Sequence, residues 1–300
     1  MIYLTLGVNE DGTGIGGGIG TGGFTAVGGQ VITNTFNAIR VNLVGLSGVT
    51  VQLLGIWTGK KGKGKIILGF DDAVASQYSI VWPYCMSKGV PITIAMPTSL
   101  VGTAGYITAA QATEMYASGM VDFVGHGATH ADLTGLSAAN CIIDVRTSKN
   151  YLLANGYSRG ADCMVYPDNA YTAAVLALCK RCGFRFARST RRYFISDHIF
   201  GMDDFMSMGA TTLSSVTLAT AKLMIDAAGH TGQTLWMYGH NILDQNNPAG
   251  TGGAPPGTAT NWYKDDFYAL VDYIAEHANV EPVAWSRFQA EMLSVPALVM

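Results

Sequence analysis

The sequence is poor in charge: Asp, Glu, Lys and Arg make up 13% of its 300 residues, and the net charge is −3. Without a basic excess it offers nucleic acid little, and no acidic tail marks a disordered segment. No apolar run is long enough to span a bilayer. The N-terminus, Met1-Ile2-Tyr3-Leu4-Thr5-Leu6-Gly7, lacks a basic segment followed by a long apolar core, so no secretory signal is expected. Cysteine is scarce and odd in number: Cys85, Cys141, Cys163, Cys179 and Cys182. Five thiols cannot pair completely, and several fall in stretches that read as core. Cys179 and Cys182 form a C-x-x-C inside an apparent helix, with no second pair to complete a zinc site. Buried free thiols are the expectation, from a chain made in a reducing compartment. A dinucleotide fingerprint is missing too, since no G-x-G-x-x-G follows a first strand. The glycine run between Gly12 and Gly29 is followed by no Lys-Ser/Thr, so it is not a phosphate loop.

Glycine is what the first part has in excess. Residues 1–64 hold 17 of the 37 glycines, which predicts a flexible or closely packed segment. Two apolar stretches, 38–44 and 49–54, flank Gly45-Leu46-Ser47-Gly48 and read as the hairpin of a small β module. Lys60-Lys61-Gly62-Lys63-Gly64-Lys65 reads as a solvated connector. The chain therefore divides into a Gly-rich β module with its linker, 1–64, and a second domain, 65–300.

From Lys65 onward strands and helices alternate, the pattern of an α/β fold. Strands are expected at 66–70, 91–96, 121–125, 162–166, 184–187, 234–238 and 280–284. Helices are expected at 76–88, from Thr108, at 136–155, 171–182, 213–228 (stopped by Gly229) and 262–276, with a last helical turn at the C-terminus. About seven such units fit an α/β barrel better than an open doubly wound sheet.

Chemistry gathers after three of these strands. The run Ile66-Ile67-Leu68-Gly69-Phe70 stops at Asp71 and Asp72; the strand ending at Gly125 leads into His126-Gly127-Ala128-Thr129-His130; the strand ending at Tyr238 leads to His240. In parallel α/β folds the C-terminal ends of strands are where ligands collect. Three of only six histidines lie there. On a helical turn His126 and His130 would share a face and meet one metal. Two imidazoles and a carboxylate leave positions open for water and substrate, as a catalytic zinc site requires. A second carboxylate is then free to act as general base.

These residues resemble the motifs of the polysaccharide deacetylases, the NodB-homology proteins or carbohydrate esterase family four. Gly69-Phe70-Asp71-Asp72-Ala73 is similar to the family's T-F-D-D-G, and His126-Gly127-Ala128-Thr129-His130 to its H-S/T-x-x-H. The resemblance covers about residues 65–295. It implies a distorted (β/α)7-type barrel and a divalent metal, zinc first with cobalt and nickel as alternatives, held by Asp72, His126 and His130. It makes Asp71 the catalytic base and His240 the general acid. The third motif departs from the family: Val165-Tyr166-Pro167-Asp168-Asn169 has valine where an arginine usually tethers the base. Arg188, at the end of the next strand, is the candidate replacement. The resemblance places an oxyanion donor at the Asp168 backbone N–H. Tyr166, Pro167 and Trp236 are candidate substrate contacts, and the long stretch from Asn241 to Asn261 a candidate binding loop. Asp203 and Asp204 are candidates to tune His240.

The implied reaction is hydrolysis of acetyl groups on a polysaccharide. A carbohydrate-binding protein that has lost turnover is the alternative that Val165 suggests. Free thiols, no export signal and a Gly-rich leader suit a virion tail protein, or another extracellular one, made in the cytoplasm. A homotrimer joined through the N-terminal region is the corollary.

Overall fold

The structure is a computed structural model that describes residues 6–8, 14–16, 62–190, 205–247 and 261–294. The hairpin expected at 38–54, the trimer contact assigned to the leader, and Asp203 and Asp204 all lie outside the described residues. Early in the chain β1 (Leu6–Val8) and β2 (Gly14–Gly16) pair antiparallel, so the glycine run carries a strand. The second domain follows in order: β3 (Gly64–Phe70), α1 (Trp82–Lys88), β4 (Ile92–Met96), α2 (Ala109–Ala117), β5 (Val121–Gly125), α3 (Ala138–Ala154), β6 (Cys163–Val165), α4 (Ala173–Arg181) and β7 (Phe186–Arg188). It continues with β8 (Thr211–Thr212), α5 (Leu218–Thr231), β9 (Thr234–Gly239), β10 (Asn241–Leu243), β11 (Asn261–Tyr263), α6 (Lys264–Glu276), β12 (Val280–Pro282) and α7 (Trp285–Ser294).

Ile66 to Phe70 is apolar without alternation because both faces of β3 are covered. The large sheet runs β7-β6-β5-β4-β3-β9-β8, all parallel, and β12 lies beside the first residues of β3. The sheet curls until its ends meet. Arg188 bridges Met208, with Met208 N–H donating to Ala187 O (2.9 Å) and Ser189 N–H to Met208 O (2.7 Å). Three residues later Thr211 joins β9 opposite Met237. Seven strands thus make a distorted barrel, as expected, but its seventh is β8, which was not expected, while the strand expected at 280–284 is β12, beside β3 and off the ring.

Period-two alternation sorts the strand residues into two layers. Ile66, Leu68, Phe70, Ile92, Ile94, Phe123, Leu235 and Met237 pack under the surrounding helices. Ile67, Val124, Val165, Phe186, Trp236 and Tyr238 fill the barrel, which Trp285 and Phe288 of α7 plug from below. The expected C-terminal helical turn is therefore a ten-residue helix with a packing role. Threonine and serine caps start the helices as their chemistry predicts: Thr108, Ser137, Thr172 and Thr217 each accept a backbone N–H of the first turn. One helix end differs from expectation. The α5 helix runs through Gly229 and stops at Gly232, which adopts φ +69°.

All five cysteines are free, and four are buried. Burial raises the Cys179 thiol to about 12, which keeps it protonated. Among the described residues no helix is long and apolar enough to cross a membrane.

Candidate active site

The inward layer continues past the ends of the strands. Residues 67 and 69 face into the barrel, so Asp71 is next in phase; Trp236 and Tyr238 lead to His240, Val124 to His126, and Phe186 to Arg188. Four polar side chains from four strands therefore meet at one mouth. Asp72 is out of phase, but its φ of +73° breaks the strand and returns its carboxylate to the same place.

Asp72, His126 and His130 present ligand atoms that all lie within 4.8 Å of one another. Asp72 Oδ1 is 3.4 Å from His126 Nε2 and 3.1 Å from His130 Nε2. His126 Nδ1 donates to Val165 O at 2.8 Å, which leaves the Nε2 of the neutral ring with a lone pair facing that carboxylate. Asp72 Oδ1 is buried and has no hydrogen bond unless an imidazole carries a proton. An oxygen and two ring nitrogens converging without donors fit a divalent cation. Burial works against the Asp72 charge, but the bonds from His126 and His130 outweigh it and hold the carboxyl well below the usual range. The same bond to Asp72 raises the His130 imidazole above its ordinary value, against the effect of burial.

Asp71 sits beside this cluster but is held differently. Arg188 Nη2 donates to Asp71 Oδ2 at 2.5 Å, and both side chains are buried. The guanidinium lies over the Tyr238 ring, 3.9 Å from its centroid. His240 Nε2 is 3.9 Å from the same Asp71 oxygen, and His240 retains partial exposure. Val165 and Arg188 are register partners in adjacent parallel strands, so they belong to one inward layer. An arginine expected on β6 has its equivalent one strand over, aimed at the same carboxylate.

The mouth is also where the backbone is strained. Among the described residues five non-glycines have positive φ: Asp72 (73°), Ala73 (54°), His130 (60°), Asp168 (53°) and Asn169 (55°). All five follow site strands. Left-handed backbone costs roughly 1–2 kcal/mol per residue, although Asp, Asn and His adopt it most readily after glycine. Strain of this kind gathers where side chains are aimed for function.

Residues 58–187 match the family model described as polysaccharide deacetylase, 130 of the chain's 300 residues. That stretch carries the match to polysaccharide deacetylases. Among curated proteins no sequence matches it. Similar solved structures include the Streptococcus pyogenes deacetylase PplD in complex with acetate, 24% identical over 42% of this chain and 55% of that one, with a TM-score of 0.40. Another is a polysaccharide deacetylase from Bacillus cereus, 22% identical over 48% and 46%, TM-score 0.43. The Xyl-CE4 domain of a multidomain xylanase from the hindgut metagenome of Trinervitermes trinervoides is 15% identical over 77% and 91%, TM-score 0.49. This chain thus spans about half the length of the first two.

The family match ends one residue before Arg188, so Arg188 and His240 lie outside it and are placed here by the structure. Not every expected contact faces the mouth. Trp236 is 1% exposed, stacked on Trp285 with ring centroids 5.2 Å apart. It lies four residues before His240 on the same face, about 13 Å deeper at the usual strand rise. Gly69 makes room for it: a Cβ there would stand 2.6 Å from the indole Nε1. Trp236 is therefore core, not a sugar platform. Tyr166 is also buried, stacked on Tyr171 and donating its hydroxyl to Met206 O at 2.9 Å. Pro167 is buried as well, and Asp168 alone of the third motif is exposed. The candidate binding loop is described only at its two ends, where β10 and β11 pair in parallel.

The helical turn expected for His126 and His130 is also absent. The segment is a loop wrapped around Asp144 of α3, a residue that the motifs do not point to. Asp144 accepts Ala128 N–H (2.9 Å), Thr129 N–H (3.0 Å) and the Thr129 hydroxyl (2.6 Å). Its trace in the sequence is a carboxylate on the buried stripe Cys141-Asp144-Val145-Ser148-Leu152. Gly127 turns between the histidines with φ +68°, and a Cβ there would stand 2.7 Å from Asp144 Oδ1. Gly127→Ala is expected to destabilise the domain by roughly 1–2 kcal/mol from the backbone alone. By displacing Asp144 it should also weaken metal binding about 10–100-fold. Urea denaturation and zinc titration of the purified variant measure the two effects separately.

Proposed function

We propose that this domain is a metal-dependent hydrolase that removes acetyl groups from a polysaccharide. The observation that carries this reading is the meeting, at one barrel mouth, of a converging Asp72–His126–His130 cluster with an arginine-held Asp71 and with His240. Zinc suits two imidazoles and one carboxylate with positions left open, and cobalt or nickel would occupy the same ligands. A divalent ion there would act as Lewis acid toward the acetyl carbonyl and the attacking water. Asp71, fixed by Arg188, takes a proton from that water as it attacks. His240 gives a proton to the departing sugar nitrogen or oxygen, and acetate is the second product. The proton that Asp71 gains and the one that His240 loses are exchanged with solvent at the open mouth before the next turnover. The Asp168 N–H, at the exposed rim, is the proposed donor to the oxyanion.

The case for a binding protein without turnover rests on Val165. Arg188 bound to Asp71 supports the reading with turnover instead.

Acetate release from an N- or O-acetylated oligosaccharide tests the reading. Chelation should reduce release to background, and added zinc or cobalt should restore it. Release that ignores both chelator and metal would sink the proposal, as would no release on any acetylated glycan with metal bound.

A further inference from the structure

Between β3 and β9 the ladder ends where Asp71 N–H donates to Gly239 O at 2.9 Å. Beyond that bond the chains part, Asp71 toward the left-handed turn at Asp72 and His240 toward β10. One side chain spans the fork. Gln77 Nε2 donates to Asp71 O at 2.5 Å and to His240 O at 3.1 Å. Gln77 is fully buried. Both of its amide protons are used, so the orientation is fixed: a flipped amide would set oxygen against two carbonyls. Its Oε1 has no partner among the described residues. An amide buried this deeply and half satisfied has a cost that core packing would not require.

The local chain is shaped to place it. Gln77–Val81 is a π-helical turn ahead of α1, with Trp82 N–H donating to Gln77 O five residues back. Pro83 has no N–H for the ordinary bond to Ser79 O, which favours the wider turn. Such turns inside helices are frequent at functional sites. The preceding residue stitches the far side of His240: the Ser76 hydroxyl donates to Asn241 Oδ1 at 2.6 Å and accepts Ile242 N–H at 3.1 Å.

We infer that Gln77 is a positioning residue: by bridging the main-chain carbonyls of Asp71 and His240 it sets the spacing between the two. It touches neither substrate nor metal ligands. Its catalytic consequence rests on the acid–base roles proposed above, whereas the bridge itself does not.

The test replaces Gln77 by Met, close in shape but without donors. In Gln77→Met, kcat for acetate release should fall about 10–100-fold, since misplacement of reacting groups by an ångström costs up to that much. KM should stay within about twofold and zinc affinity should be unchanged, because the bridge touches neither substrate nor ligands. By NMR the Asp71 amide should exchange about tenfold faster or more, with the Leu68 amide unaffected, as the strand end frays. Gln77→Glu keeps length and polarity but sets a carboxylate against two carbonyls, and should lose at least as much kcat. Wild-type kcat together with unchanged Asp71 exchange in Gln77→Met overturns the inference. So does a loss of kcat that only follows lost zinc affinity or a general rise in exchange. If the wild type releases no acetate but Asp71 exchange rises in Gln77→Met, the bridge stands and the acid–base reading fails.

Discussion

Asp71→Asn and Asp72→Asn are both expected to stop acetate release, but only the second should lose the metal. Asparagine at 71 keeps the shape, and its oxygen still accepts from Arg188, so the mouth keeps its geometry. An amide cannot take a proton from water, however, and loss of a general base costs about 10²–10⁴-fold in kcat. Asp72 is different because its Oδ1 faces two ring nitrogens. Neutralising it removes the only charge in that ligand set. Metal affinity should fall by at least about 10²-fold, the upper end of what loss of a mere supporting partner costs. Metal content by mass spectrometry after gel filtration, set beside acetate release, separates the two variants. An Asp71→Asn protein that loses zinc, or an Asp72→Asn protein that keeps it, reverses the assigned roles.

The acids and histidines were legible because strand period and chain order place them. Ile67, Gly69 and Asp71 share a phase, as do Trp236, Tyr238 and His240, so the mouth follows once the strands are placed. That phase also explains what misled. Trp236 shares the face of His240 but lies deeper, and a motif does not state depth. The four-residue gap between His126 and His130 pointed to a helix, whereas the loop is held by Asp144, 14 residues beyond His130 in the chain. Its role depends on a tertiary contact that no local pattern encodes. Closure of the barrel through Met208 left no sequence trace either, because one bridge and a two-residue strand carry no periodicity. Gln77 was illegible for the same reason as Asp144: a polar residue early in a helix is ordinary until the fork it spans is seen.

Arg188→Met is expected to be the most destabilising single change at the mouth. The guanidinium is 2% exposed and Asp71 5%, with the ring faces of Tyr238 and Trp236 beside the arginine. Removing one member of a buried pair leaves the other charge uncompensated, at about 3–5 kcal/mol. Urea midpoints should show this, and acetate release should fall as Asp71 loses its orientation. Arg188→Lys should keep more stability than activity, because an ammonium neutralises the charge without the planar fork that aims the carboxylate. Adding Asp71→Asn to Arg188→Met should recover stability relative to Arg188→Met alone, since no charge is then stranded; a purely additive double variant would show that the pair is not coupled. The register supplies a stricter test. Val165 and Arg188 are neighbours in one inward layer, and the Val165 carbonyl that accepts from His126 is main chain, unaffected by the side chain. Moving the arginine across, as Val165→Arg with Arg188→Val, should therefore restore about tenfold or more of the acetate release lost in Arg188→Val. The expectation follows from position alone, because either strand end can deliver a guanidinium to the same carboxylate. Failure of the exchange to restore activity, in a protein that still folds and binds zinc, would mean that Arg188 does more at this mouth than hold Asp71.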